Sequence, residues 1–235
     1  MDFEVIFNNF AFIIVQGFFG IGNFTGGTLR LALPAMVLGF CLGTLVGLAR
    51  LSRHRWLRLP ATIYVEFFRG VPLVMVIFWF WFIVPVIAGR GLPEYFVALT
   101  AFVVFEAAYL AEIVRAGIQS VPRGQIEAAT STGLTEAMTM RHVILPQALR
   151  HMIPALVTQF IVLLKDTSLA SIIGYVDLTK AAQIVNNREI RPFEIYLFIT
   201  APAASAAQAF PIRYVAVFRF HHAVRLANCK NSVNT

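Results

Sequence analysis

Long apolar runs separated by short polar or basic breaks set the organisation of this chain. The first run spans about Leu29 to Leu48. A helix of roughly 20 residues is about 30 Å long, enough to cross the hydrocarbon core of a bilayer. Gly39, Gly43 and Gly47 recur every four residues along it, a small-residue stripe that lets a second helix come close in lipid. Contact within this chain is expected there, ahead of pairing between subunits. Further spans are predicted over about Ala61 to Ile87, Tyr95 to Ile118 and Met152 to Val176. A fifth should begin near Phe193 and run about 20 residues. Phe10 to Phe19 is apolar but short, and its aromatic residues suit a helix lying along the outer membrane interface. Leu178 to Val185 suits a short amphipathic helix in an external segment.

The breaks orient the spans. Arg50, Arg53, Arg55 and Arg58 form a basic loop after the first span, and Arg123 and Arg141 fall in the loop after the third. Basic loops face the cytoplasm, so five spans put the N-terminus outside and the C-terminus inside. Arg219, Arg225 and Lys230 agree, whereas Arg90, Lys180, Arg188 and Arg191 fall on external connections and make the asymmetry moderate. The opening Met1-Asp2-Phe3-Glu4 is acidic and unlike a cleaved signal peptide. After Thr200 the composition changes abruptly, through Ala201-Pro202-Ala203-Ala204-Ser205-Ala206-Ala207-Gln208 to Pro211 and Arg213. The segment 201–235 is therefore read as an altered or frame-shifted C-terminus, behind an external N-terminal segment 1–27 and a transmembrane domain 28–200. An intact frame on resequencing would sink that reading.

Ionisable residues within the spans are costly and mark candidate function. Glu66 and Arg69 are three apart, and an ion pair bending the chain into the membrane is the first reading. The alternative is that Arg69 contacts an anionic substrate. Glu112 and Arg115 have the same spacing near a helix end, which favours a structural pair. Glu106 lies deeper, with internal hydrogen bonding and a place on a translocation path both open. Lys165 and Asp166 interrupt the fourth span. Neighbouring helix positions do not face each other, so each should find a different partner or line a polar route.

Composition narrows the class. The chain is 58% hydrophobic and 13% charged, against roughly 25% charged in soluble domains, so an all-α polytopic membrane protein is expected. The net charge of +7 is better explained by basic loops than by nucleic-acid binding. Cys41 and Cys229 form no CxxC pair, and the five histidines, including His221-His222, have no ligand set around them. No cofactor or metal is expected. A GxxxxGK[ST] phosphate loop does not occur in the sequence, so any ATP would be handled by a separate chain.

One polar stretch remains. Glu127-Ala128-Ala129-Thr130-Ser131-Thr132-Gly133, followed by Val143-Ile144-Leu145-Pro146, reads as a short surface helix, a turn at Gly133 and a new helix from Pro146. Glu-Ala-Ala, three residues, Gly, nine residues, an aliphatic, one residue and Leu-Pro resembles the signature loop of ABC importer membrane subunits. Ala108 to Ser120 and Leu164-Lys165-Asp166-Thr167-Ser168-Leu169 resemble the polar amino acid branch of that family. Pro72-Leu73-Val74-Met75-Val76, Trp79-Phe80 and Phe105-Glu106-Ala107-Ala108-Tyr109 look most like glutamate/aspartate importer permeases. The resemblance covers roughly residues 25 to 199.

The resemblance implies a type I permease fold of about five transmembrane helices in a bacterial inner membrane. It implies an ATP-driven importer of a polar, acidic amino acid, with an ATP-binding cassette ATPase, a second permease subunit and an external amino-acid-binding protein as partners. The loop 119–147, through Glu127, Ala128, Ala129, Gly133, Leu145 and Pro146, would couple to the ATPase. Glu106, Lys165, Asp166 and Arg69 are the candidate translocation path. Alternatives are an ion-coupled secondary transporter or channel, and an importer of another polar amino acid.

Overall fold

A computed structural model of the chain describes residues 4–21 and 26–200. The regular structure of these residues is all helical, with no strand among them. Helix α1 (Glu4–Phe10) continues as a π-helical segment over Ala11–Phe19. Then come α2 (Thr28–Leu51), α3 (Arg55–Gly70), α4 (Leu73–Ala88), α5 (Glu94–Gln119), α6 (Arg123–Ser131) and α7 (Glu136–Thr139). A π-helical segment, Met140–Ile144, joins α7 to α8 (Leu145–Asp166), which ends in a 3-10 turn over Thr167–Ile173. Helix α9 (Leu178–Glu189) follows, and residues 192–200 are helical again. The altered C-terminus expected over residues 201–235 lies outside the described residues.

The spine of the fold is the pair α2 and α5. Gly39 faces Glu106, Gly43 faces Leu110 and Gly47 faces Val114, so the two helices run parallel in a constant register. A β-carbon on Gly43 would lie 2.8 Å from the Leu110 Cβ and 2.9 Å from the Ala107 carbonyl oxygen. The stripe thus works within this chain, as expected. Ala98, Ala101, Phe102, Ala107, Ala108, Leu110 and Ala111 of α5 are fully buried. Small side chains at this depth let the backbones close together, and dispersion contacts rather than solvent exclusion stabilise them in lipid.

α8 packs antiparallel on α5. Gly117 abuts Met152 and Ala148, while Glu106, eleven residues earlier, meets Gln159. Gly47, Gly117 and Ala148 therefore lie toward one end of the bundle, the end that carries Arg50, Arg53 and α6. At this end Arg50 Nη1 donates to Glu112 Oε2 at 2.5 Å, and Arg115 binds the same carboxylate from one turn on. The predicted Glu112–Arg115 pair is present, with a cross-helix arginine added.

Two expectations about charge are corrected. Glu66 does not pair with Arg69; it lies 3.8 Å from Arg50, and the Arg69 guanidinium sits 5.6 Å from the centre of the Tyr109 ring. Both residues lie on α3, which packs against α2 and α5 and gives each a partner on a different neighbour. A 108° bend follows between α3 and α4, at Val71-Pro72, where proline lacks the N–H that would continue the helix. The four arginines also do not share one loop. Arg50 closes α2, Arg55 and Arg58 lie in the opening turns of α3, and only residues 52–54 are non-helical.

Three described helices are long and apolar enough to cross a membrane, or four if the bent pair α3–α4 is one span. Residues 192–200 open the fifth predicted span. The fourth span is longer than predicted, a near-continuous helix over Glu136–Ile173. A new helix at Pro146 is only half right: proline does sit in the first turn of α8, but helical structure precedes it. The wider π turn ahead of Pro146 absorbs the missing hydrogen bond.

The short N-terminal helix packs into the bundle's far end. Ile13 joins Leu178, Ala182, Val185, Ile195 and Ile199 in a small apolar cluster. Helix α9 is capped by Asp177, whose carboxylate accepts from the backbone N–H groups of Thr179 and Lys180 at 3.1 and 2.9 Å. Burial pushes the Asp177 carboxyl above the usual range, and the backbone donors pull it back. Tyr175 Oη donates to the Gly27 carbonyl oxygen at 2.8 Å, tying this end to the start of α2.

Candidate functional site: a polar cavity and a protruding helix

Two features stand out from the apolar bundle. The first is a cavity of about 540 Å³ beside the α3–α4 bend. Arg69 enters from the end of α3, Phe105 and Tyr109 from α5, and Gln159 and Asp166 from α8. A cation and an anion thus line one cavity, together with apolar residues such as Val71, Leu73, Phe105 and Val162. The Tyr109 ring supports the guanidinium by cation–π attraction, a contact worth about 0.5–1 kcal/mol. Gly70-Val71-Pro72 forms the wall where the helix is broken. Broken helices line cavities at membrane depth because their free backbone groups need polar surroundings.

The four residues predicted for a path divide three ways. Arg69 and Asp166 meet at this cavity. Glu106 does not reach it: the side chain is fully buried, with Oε2 accepting from Gln159 Nε2 at 2.9 Å. Lys165 faces elsewhere, into a second cavity of about 200 Å³ that also holds Thr28, Thr167, Ser168 and Asp177. Lys165 and Asp166 thus line different cavities. One helix residue turns the chain by about 100°, which separates them onto different faces.

Tyr109 and Gln159 were missed as site residues. Gln159 had a signal, as a polar amide within the apolar run Met152–Leu164. Tyr109 had none beyond its motif, because the Arg69 contact depends on the packing of α3 on α5.

The second feature is α6. Glu127, Ala128, Thr130 and Ser131 are exposed on it, whereas Ala129 is buried, and Ile126 packs into the cluster of Val121, Ile144, Ala148 and Met152. Of the two alanines, then, only Ala128 lies on the open face. The helix ends with Thr132 N donating to the Ala128 carbonyl and Leu134 N to the Ala129 carbonyl, both at 3.2 Å. Gly133 sits between them at φ 82°, and a β-carbon there would meet nothing within 4 Å. It is needed for its left-handed backbone and not for space. Leu145 and Pro146 are exposed at the start of α8. Arg53 donates to Glu136 Oε1 at 2.9 Å, linking the α2–α3 connection to α7. The pair is exposed, so it contributes about 0–1 kcal/mol.

Comparison with known proteins agrees with this geometry. The family described as "Binding-protein-dependent transport system inner membrane component" matches residues 39–218. The glutamate/aspartate import permease protein GltK of Escherichia coli O6:H1 is 42% identical over 178 residues, covering 73% of this chain and 80% of GltK. The probable glutamine ABC transporter permease protein GlnM of Bacillus subtilis is 36% identical over 199 residues, covering 85% of this chain and 88% of GlnM. A crystal structure of an amino acid ABC transporter with histidines superimposes with a TM-score of 0.84 at 33% identity, covering 94% of this chain and 99% of that one. With the family match spanning most of the sequence and the same helical fold in that transporter, the chain belongs to the binding-protein-dependent transport system inner membrane components.

Proposed function

We propose that the chain is the permease subunit of an ATP-driven importer and carries a polar amino acid, an acidic one such as glutamate or aspartate, past the α3–α4 bend. The observation that carries this reading is the joint presence of Arg69 and Asp166 on one cavity. A guanidinium recognises carboxylate oxygens through paired N–H donors, and a carboxylate accepts from an ammonium group. Similarity to GltK supports the acidic substrate. A second reading is a neutral polar amino acid such as glutamine. The balance of one cation and one anion suits a zwitterion without further charge, and similarity to GlnM favours it.

The exposed face of α6 would lie in a groove on a separate ATPase subunit. The arginine-rich end of the bundle then faces the cytoplasm, with the N-terminus outside. Closing of the ATPases would push α6 as a rigid body. Ile126 would pass that push to Ala148 and Met152 of α8, and Met152 to Gly117 of α5. An external binding protein would deliver the solute, and a second permease, a related chain or another copy, would complete the path.

The direct test is uptake of labelled glutamate and glutamine by vesicles holding the whole transporter. The key comparison is an ATPase that binds but does not hydrolyse ATP. Glutamate uptake that requires hydrolysis and exceeds glutamine uptake is expected. Uptake without hydrolysis would replace the importer reading with a secondary carrier.

Coupling has its own test. Gly133→Val puts a β-branched residue where φ is 82°, at a cost of about 1–3 kcal/mol. The turn relaxes by moving α6, since no side chain is displaced. The expected result is normal membrane insertion with co-purification of the ATPase reduced about tenfold. Unchanged co-purification would remove Gly133 from the docking role.

A further inference from the structure

Glu106 is an acid with no route to the cavity, and its burial is complete. The Gln159 amide is its hydrogen-bond partner, while Glu106 Oε1 is buried without one among the described residues. A carboxyl group held this way is costly to keep in an apolar bundle. Helix packing would be served as well by leucine. The bond itself has a directional consequence. Gln159 gives its N–H to Glu106, so its amide group is fixed with the nitrogen toward α5 and the carbonyl oxygen turned away. Gln159 also lines the cavity that holds Arg69 and Asp166. The oxygen, a pure acceptor, is the amide atom that Glu106 does not engage, on a residue that lines this cavity together with Asp166.

We propose that Glu106 is a positioning residue that holds the Gln159 amide so that its carbonyl oxygen accepts a hydrogen bond from the α-ammonium group of the transported amino acid. This rests on the amino acid importer reading. It adds that ammonium recognition is shared between Asp166 and Gln159, an ammonium having three N–H donors to distribute. Without Glu106 the amide is free to rotate, and half of its orientations present an N–H donor to an ammonium, which repels it.

The assembled transporter, with its ATPase and binding protein, tests this with labelled L-glutamate and L-glutamine in vesicles. Glu106→Leu should lower the uptake rate at saturating substrate about tenfold, the effect of losing one charge-assisted hydrogen bond. Both amino acids should suffer alike, because both carry the α-ammonium. Glu106→Gln keeps an oxygen that accepts from Gln159 and should retain most of the uptake. Gln159→Leu should match Glu106→Leu, and the double variant should be no worse than either single one. Non-additivity shows that the two side chains act as one pair, and uptake lost at an unchanged unfolding midpoint of the purified complex is what a purely structural role would not produce. Wild-type uptake with full activity in Glu106→Leu, or losses that multiply in the double variant, overturns the positioning role alone. No uptake of any amino acid by the wild type overturns the transport reading and the positioning role together.

Discussion

Gly43→Val should strongly destabilise the bundle. A β-carbon at Gly43 would stand 2.8 Å from the Leu110 Cβ, 2.9 Å from the Ala107 carbonyl oxygen and 3.1 Å from the Ala111 nitrogen. Two of these three atoms are backbone, so no rotamer change relieves the contact. α2 must then part from α5, which opens the buried seam made by Ala107, Ala108, Leu110 and Ala111. Overpacking of a tight core costs about 1–3 kcal/mol, and more where backbone must shift. Valine adds two further methyl groups to that first clash. A fall of about 10 °C in the unfolding midpoint of the purified permease is expected for a chain of this size, with reduced yield in the membrane. Gly91→Val is the control, since a β-carbon there meets nothing within 4 Å. Equal stability of the two variants would mean that α2 and α5 are not the spine.

The helical fold was largely readable in the sequence because the physics behind it is local. A run of twenty apolar residues has few ways to satisfy its backbone in lipid, so the spans at α2 and α5 came out within a few residues of their observed ends. The Gly39-Gly43-Gly47 stripe likewise announced a close helix contact. Long-range geometry was less legible. Arg69 has an acid one turn away at Glu66, and spacing alone pairs them; the packing of α3 on α5 instead brings Arg69 to Tyr109, forty residues on. Lys165 and Asp166 read as one polar interruption, yet they open into separate cavities. Glu106 was legible as an unusual residue but not as one acting through Gln159, because the antiparallel register of α5 and α8 cannot be read from either helix alone. Ala129 shows the same limit at α6, where the tertiary cluster under the helix turns one of two adjacent alanines inward.

Arg69→Met should separate the acidic reading from the neutral one. Methionine keeps an unbranched side chain of similar reach but removes the charge, so the cavity wall stays filled. In the wild type the guanidinium stands over Tyr109 beside a space shared with Asp166 and Gln159. Glutamate brings two carboxylates and glutamine one, and charge attraction is strong in surroundings poorer in water than bulk solvent. Hydrogen bonds to charged groups are worth about 1.5–3 kcal/mol, which corresponds to roughly ten- to a hundredfold in rate. Glutamate uptake should therefore fall by about that factor, and glutamine uptake by clearly less. Asp166→Asn should lower both alike, since the ammonium group is common to both. ATPase co-purification should be unchanged in each variant, because the cavity lies away from the exposed face of α6. Equal losses for the two substrates in Arg69→Met would assign the guanidinium to the shared α-carboxylate and leave the acidic preference without a residue in this chain. No loss for either would take Arg69 off the path, and the cavity beside the bend with it.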